Sequence, residues 1–126
     1  AVVASDEDGH GRFQIADADG KVVSEMRMLP GVGGGIIVNT SSGKKMGVLA
    51  ASEAGGHLNL FNARNVPVFV ASIESDAGGG ALIISNQRGI PVITAKSDEE
   101  HRGMIEIMDA DGAGVRKMRP LRGYSP

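Results

Sequence analysis

Cysteine and tryptophan are absent from this 126-residue chain, and one Tyr and three Phe are all the wide rings it has. The lack of Cys excludes disulfides, thiolate metal sites and a Cys nucleophile. With so few rings a broad globular interior is hard to fill, and a narrow one lined by Val, Ile, Leu and Ala fits better. Neither sign of charge prevails: thirteen Lys and Arg against fifteen Asp and Glu leave a formal net charge of −2, so no general pull toward nucleic acid is expected. No stretch approaches the roughly 18 apolar residues of a membrane span, and no basic, then apolar, then small-residue leader opens the chain. Ala1 in place of Met is what a processed or trimmed start would leave. The length suits one domain or a fragment of a longer array.

Glycine is abundant, with nineteen residues, and falls at fixed places rather than in tracts, which points to turn chemistry and not to disorder. Five anchors, Gly11, Gly34, Gly56, Gly80 and Gly103, follow one another at 23, 22, 24 and 23 residues. Nine residues after each anchor stands Gly20, Gly43, Asn65, Gly89 or Gly112. Two after each come Phe13, Ile36, Leu58, Leu82 and Ile105; four after, Ile15, Val38, Leu60, Ile84 and Ile107; twelve after, Val23, Met46, Val68, Val92 and Val115. At an apolar content of 41%, filling all fifteen cells by chance has a probability on the order of one in a million, so the repeat is real. It divides the chain into a half unit 1–10, units 11–33, 34–55, 56–79, 80–102 and 103–121, and a tail 122–126.

Apolar residues at positions two and four alternate with Arg12 and Gln14, His57 and Asn59, or Met104 and Glu106, the period of a half-buried strand. Helix is disfavoured, because Gly, Asn and β-branched residues crowd every unit. The strings Asp17-Ala-Asp-Gly20, Thr40-Ser-Ser-Gly43, Asn62-Ala-Arg-Asn65, Asn86-Gln-Arg-Gly89 and Asp109-Ala-Asp-Gly112 read as type I turns closed by a residue at positive φ. Asn65 is the next most tolerant residue after Gly in that region. Each unit is therefore a strand, a turn and a strand, followed by a connection rich in acid and Gly.

The expected fold is all-β, a hairpin or β-solenoid array in which columns two, four and twelve form the core: Phe13, Ile15, Ile36, Val38, Leu58, Leu60, Leu82, Ile84, Ile105 and Ile107, with Val68 and Val92. Pro67 and Pro91 cannot donate to a ladder, which argues against one continuous flat meander. A ten-stranded open sheet would leave two edges and an apolar face uncovered. The chain is thus expected to coil on itself, or to wrap with other copies as an intertwined or prism-like homotrimer. Ile37 and Ile83 add apolar character to the opposite face, readable as contacts beyond one chain or as tolerated exposed aliphatics.

Catalytic signals are absent: no nucleophile elbow and no Ser, His and Asp set stands out, so no enzyme activity and no cofactor are expected. Asp17, Asp19, Asp109 and Asp111 resemble the opening of a calcium loop, but no distal Glu follows at the needed spacing, and turn capping explains them. Stacked acidic connections would place Asp6, Asp8, Asp76, Asp98 and Glu99 in one ridge, the best candidate for calcium; a solvated acidic edge that blocks lateral aggregation is the favoured reading. His10, His57 and His101 each lie within two residues of an anchor Gly, but none has a second zinc ligand at local spacing. Gly33-Gly-Gly35 and Gly78-Gly-Gly80 lack the Lys and Ser or Thr of a phosphate loop. Asp6, Glu7 and Asp8 at the leading end complement Arg116, Lys117, Arg119 and Arg122 at the trailing end, which allows head-to-tail contacts, against the plainer reading of two solvated termini.

On strings such as Gly56-x-Leu58-x-Leu60-x-Asn62-x-x-Asn65-x-Pro67-Val68, the chain from Val2 to about Met118 resembles the Gly-rich hairpin repeat arrays of microbial and viral fibres, including trimeric phage tail-fibre shafts and bacterial surface stalks. That resemblance implies a self-assembling shaft on a cell surface, a virion or outside the cell, inert as an enzyme. The alternative is a monomeric β-repeat module that displays its acidic Gly-rich loops to a glycan, an ion or a protein.

Overall fold

In the computed structural model, residues 1–5, 7–53, 55–73, 79–97, 100, 102–114 and 116–119 are described. Among them are eleven strands and no helix: β1 (Val2–Ser5), β2 (Gly11–Ala16), β3 (Val22–Leu29), β4 (Gly33–Asn39), β5 (Lys45–Ser52), β6 (Gly55–Phe61), β7 (Pro67–Ile73), β8 (Gly80–Ser85), β9 (Pro91–Ser97), β10 (Gly103–Ile107) and β11 (Arg116–Met118). They pair in sequence order as one open antiparallel sheet. No helix among the described residues is long and apolar enough to cross a membrane.

Each turn between an even strand and the next odd one is built by the same chemistry. Gly20, Gly43, Gly89 and Gly112 have φ near +80°, and Asn65 has φ +62°. The residue three before each accepts its backbone N–H at 2.9–3.1 Å. The side chain at that first position then caps the loop. Asn62 Oδ1 accepts from the N–H of Arg64 at 2.9 Å and of Val66 at 3.1 Å, and Asp17, Asn86 and Asp109 make the equivalent pair of bonds. Thr40 caps Lys44 N at 3.1 Å. Two turns reach forward to the following one: Asn62 Nδ2 donates to Gln87 O at 3.1 Å and Asn86 Nδ2 to Ala110 O at 2.8 Å.

Beside each of the first four turns the register shifts by one residue. Leu60 faces Phe69 while Phe61 faces Pro67, leaving Val68 as the extra residue, and Ile84 faces Ile93 while Ser85 faces Pro91, leaving Val92. Val23 and Met46 hold the same place. The first four members of column twelve are thus bulged residues, where the odd strand bends and twists more strongly.

Two expectations are overturned. The chain does not coil into a solenoid, because every unit pairs antiparallel with the next in one sheet. The links between units permit this: Val32 N–H donates to Leu29 O at 3.0 Å, turning β3 straight back into β4. The prolines do not interrupt the meander either. Pro67 and Pro91 are the first residues of β7 and β9, next to the bulges, a position that Pro tolerates.

Candidate assembly surface

Register places one residue from every strand in a single line across the sheet. Val3, Phe13, Met26, Ile36, Leu49, Leu58, Ala71, Leu82, Ala95, Ile105 and Met118 are successive cross-strand partners, and all eleven are apolar. A second line on the same face runs Ile15, Ser24, Val38, Gly47, Leu60, Phe69, Ile84, Ile93, Ile107 and Arg116. Columns two and four therefore share one face, filled in between by odd-strand residues that the repeat alone does not single out. The anchors Gly11, Gly34, Gly56, Gly80 and Gly103 form the margin of that face, away from the turns, paired with Ser5, Met28, Ala51, Ile73 and Ser97.

This face is the uncovered one. Met26 is 50% exposed, Leu49 49% and Val38 48%; Phe13, Ile15, Leu60, Ile105 and Ile107 are also exposed. Over Phe13, Met26, Ile36 and Leu49 it forms an open apolar groove of about 710 Å³. Ile36, Leu58, Leu82, Ile84, Val68 and Val92 are half-buried. The chain exposes 8557 Å² in all. A compact monomer of its 13.0 kDa would expose about 6,300 Å², so roughly 2,200 Å² remains unburied that a globular chain of this size would hide. That surplus belongs to the whole one-layer chain, both faces of the sheet together, and is of the order that obligate interfaces bury, about 1,000–2,500 Å² per chain.

The opposite face is more polar in sequence yet better shielded. Its line runs Val2, Gln14, Glu25, Ile37, Val48, Asn59, Val70, Ile83, Thr94, Glu106 and Lys117. Among the described residues the buried hydrophobic ones, Ile37 at 5%, Ala50 at 3% and Met104 at 6%, all lie on this face. Ile37 is therefore neither an exposed aliphatic nor a contact held in reserve for another chain; it is buried within its own sheet, and Ile83 beside it is half-buried. At the flanks the same face is polar and paired: Glu25 accepts from Gln14 Nε2 at 3.0 Å and from Arg27 Nε at 2.9 Å.

Lys117 Nζ lies 2.9 Å from Glu106 Oε1, directly across the ladder. The hydrogen bond from Lys117 holds the Glu106 carboxyl below its ordinary value; burial opposes this, and the charges of Lys117, Lys96 and Arg119 add to the lowering. A depressed carboxylate pKa stabilises the fold above the unfolded-state value, and that contribution is lost as pH falls through the folded-state value. Below about pH 4, hydrogen-exchange protection of the Ile105 and Ile107 amides is expected to fall as β11 loosens, by at most about 1 kcal/mol because the pair is solvent-screened. Glu106→Gln should remove that pH dependence; an unchanged profile in the variant would assign it to other groups.

Among the described residues, the remaining candidates do not converge on a site. Asp8 and His10 line an open groove of about 490 Å³ with Glu7, Arg12 and Arg27, a lining of mixed charge. Asp6, Asp76, Asp98, Glu99 and His101 lie outside the described residues, and among the described residues no group of three His, Cys, Asp or Glu is placed to hold a metal. His57 lies within the opposite face, across from Ala50 and Ser72. Asp17 and Asp109 are occupied in capping their turns, and Asp111 Oδ1 pairs with Arg88 Nη2 at 2.8 Å. Arg122 lies outside the described residues, and Lys117 is engaged by Glu106. Compared with known proteins, the chain matches no protein-family model and no curated protein.

Proposed function

We propose that this chain is a structural subunit that self-assembles, as a homotrimer, into a rigid shaft or filament on a cell surface, on a virion or outside the cell. The observation that carries the reading is the unbroken apolar line from Val3 to Met118 on the uncovered face. The described strands form one sheet, none of them lies over that face, and a second layer is what an apolar sheet face requires.

A triangular prism suits these dimensions. A seven-residue strand spans about 23 Å. Three walls of that width stand about 7 Å from their common axis, a distance that inward Leu, Ile and Met side chains fill alongside the ~10 Å spacing of packed sheets. The strands would then run across the shaft, and repeats would add to its length. Its action is mechanical, with no reaction to catalyse.

Solution mass tests the reading: light scattering should give three times the 13.0 kDa chain. A chain that stays single at high concentration, and gains stability from an added glycan, protein or calcium, would establish the binding-module alternative instead.

A further inference from the structure

The five anchor glycines are the most regular feature of the sequence, yet the single chain gives no reason for them. None of the five has a positive φ. A Cβ added at Gly11, Gly34, Gly80 or Gly103 would meet nothing within 4 Å, and at Gly56 only the Ala50 carbonyl at 3.9 Å, an ordinary contact. Gly is poor in strands, so its recurrence at an unstrained, roomy place calls for a neighbour that approaches closely there. Several other glycines have local causes: the turn glycines have positive φ, and a Cβ at Gly35 or Gly55 would overlap Leu29 or Ile73.

The face that these glycines border supplies the independent observation. It is apolar from β1 to β11 and uncovered, and the chain carries about 2,200 Å² more surface than a compact chain of its mass. The anchors lie on β2, β4, β6, β8 and β10, that is, on every second strand, about 10 Å apart along the sheet. An occupant that closes on all five at once must carry the same two-strand period. A second copy of this chain does: Ile15, Val38, Leu60, Ile84 and Ile107 line the other margin of the face at that spacing.

We propose that the glycine margin is the seat for a neighbouring copy, whose column-four side chains pack over the bare backbone of Gly11, Gly34, Gly56, Gly80 and Gly103. The inference rests on the self-assembly reading and adds to it which margin meets which. It makes the contact heterologous, so that each copy gives one margin and receives at the other, as closure around a ring requires.

The test is the concentration at which copies dissociate, measured by sedimentation for the wild type, Gly34→Val/Gly80→Val and the control Ala63→Leu, which adds bulk at an exposed turn position. The valine variant should raise that concentration about tenfold or more, because overpacked contacts are costly, and the control should leave it unchanged. Equal dissociation in wild type and valine variant, or an equal shift in the control, would overturn the seat while leaving assembly intact. A wild type that never assembles would overturn the assembly reading itself. If the valine variant yields no folded protein, Gly80→Ala makes the same comparison with one added methyl group: a shift of about threefold is expected, and no shift refutes the seat.

Discussion

Leu60→Asp is expected to reduce the protein to single chains. Leu60 is paired with Gly47 and Phe69 within the sheet and is 42% exposed in the lone chain. An Asp there would remain in water as long as no partner docks, so the hairpins should still form. Assembly would bury that carboxylate among aliphatic side chains with no cation opposite, at a cost of at least about 3 kcal/mol per copy. In the proposed trimer the charges would also face one another. Ile84→Asp, one unit further along the same line, should behave alike. The check is mass by light scattering together with the circular-dichroism signal of the strands. Soluble oligomers of normal mass from either variant would remove the apolar face from the interface.

The second large effect belongs to Gly33, at the start of β4. Its φ of +128° is open to Gly and to almost nothing else. A Cβ built there would overlap the Ala51 carbonyl oxygen of the neighbouring strand, and backbone cannot step aside as a flexible side chain can. Gly33→Ala combines strain with overlap and should cost about 3 kcal/mol or more, seen as a fall of about 10 °C in the thermal midpoint. The next residue makes an internal control. Gly34 has neither a positive φ nor any atom within reach of an added Cβ, so Gly34→Ala should leave the lone sheet as stable as before and act only on assembly. Equal losses from the two substitutions would contradict the backbone geometry described for β4.

The hairpins were legible in the sequence because two independent local codes agree. The period of two in Gly56-His-Leu-Asn-Leu60 marks a strand, and Asn62 followed three residues later by Asn65 marks where it reverses. How successive hairpins join was not legible. The links between units differ in length and carry acids, and Pro67 and Pro91 suggested a break that the strand starts and their bulges absorb. The face was half legible. Columns two and four stood out by recurrence, but Met26, Leu49, Ala71 and Ala95 follow only once the register is known. The signal that could have supplied it lies in the turn type, since a bulge at Val68 commits Leu58 to Ala71. Ile37 was misjudged because a period of two says which side a residue takes and nothing about how closely its neighbours shield it.

The strands lie across the direction in which repeats accumulate, so the ladder bonds point along that direction. A pull applied to the two ends of such a sheet opens one strand pair after another, like a zip, and each pair bears the whole load in its turn. The bonds from Asn62 to Gln87 and from Asn86 to Ala110 tie neighbouring turns along the same line and must break in the same sequence. Tensile strength in an object made from this chain therefore has to come from between copies, where contacts span several strands and yield together.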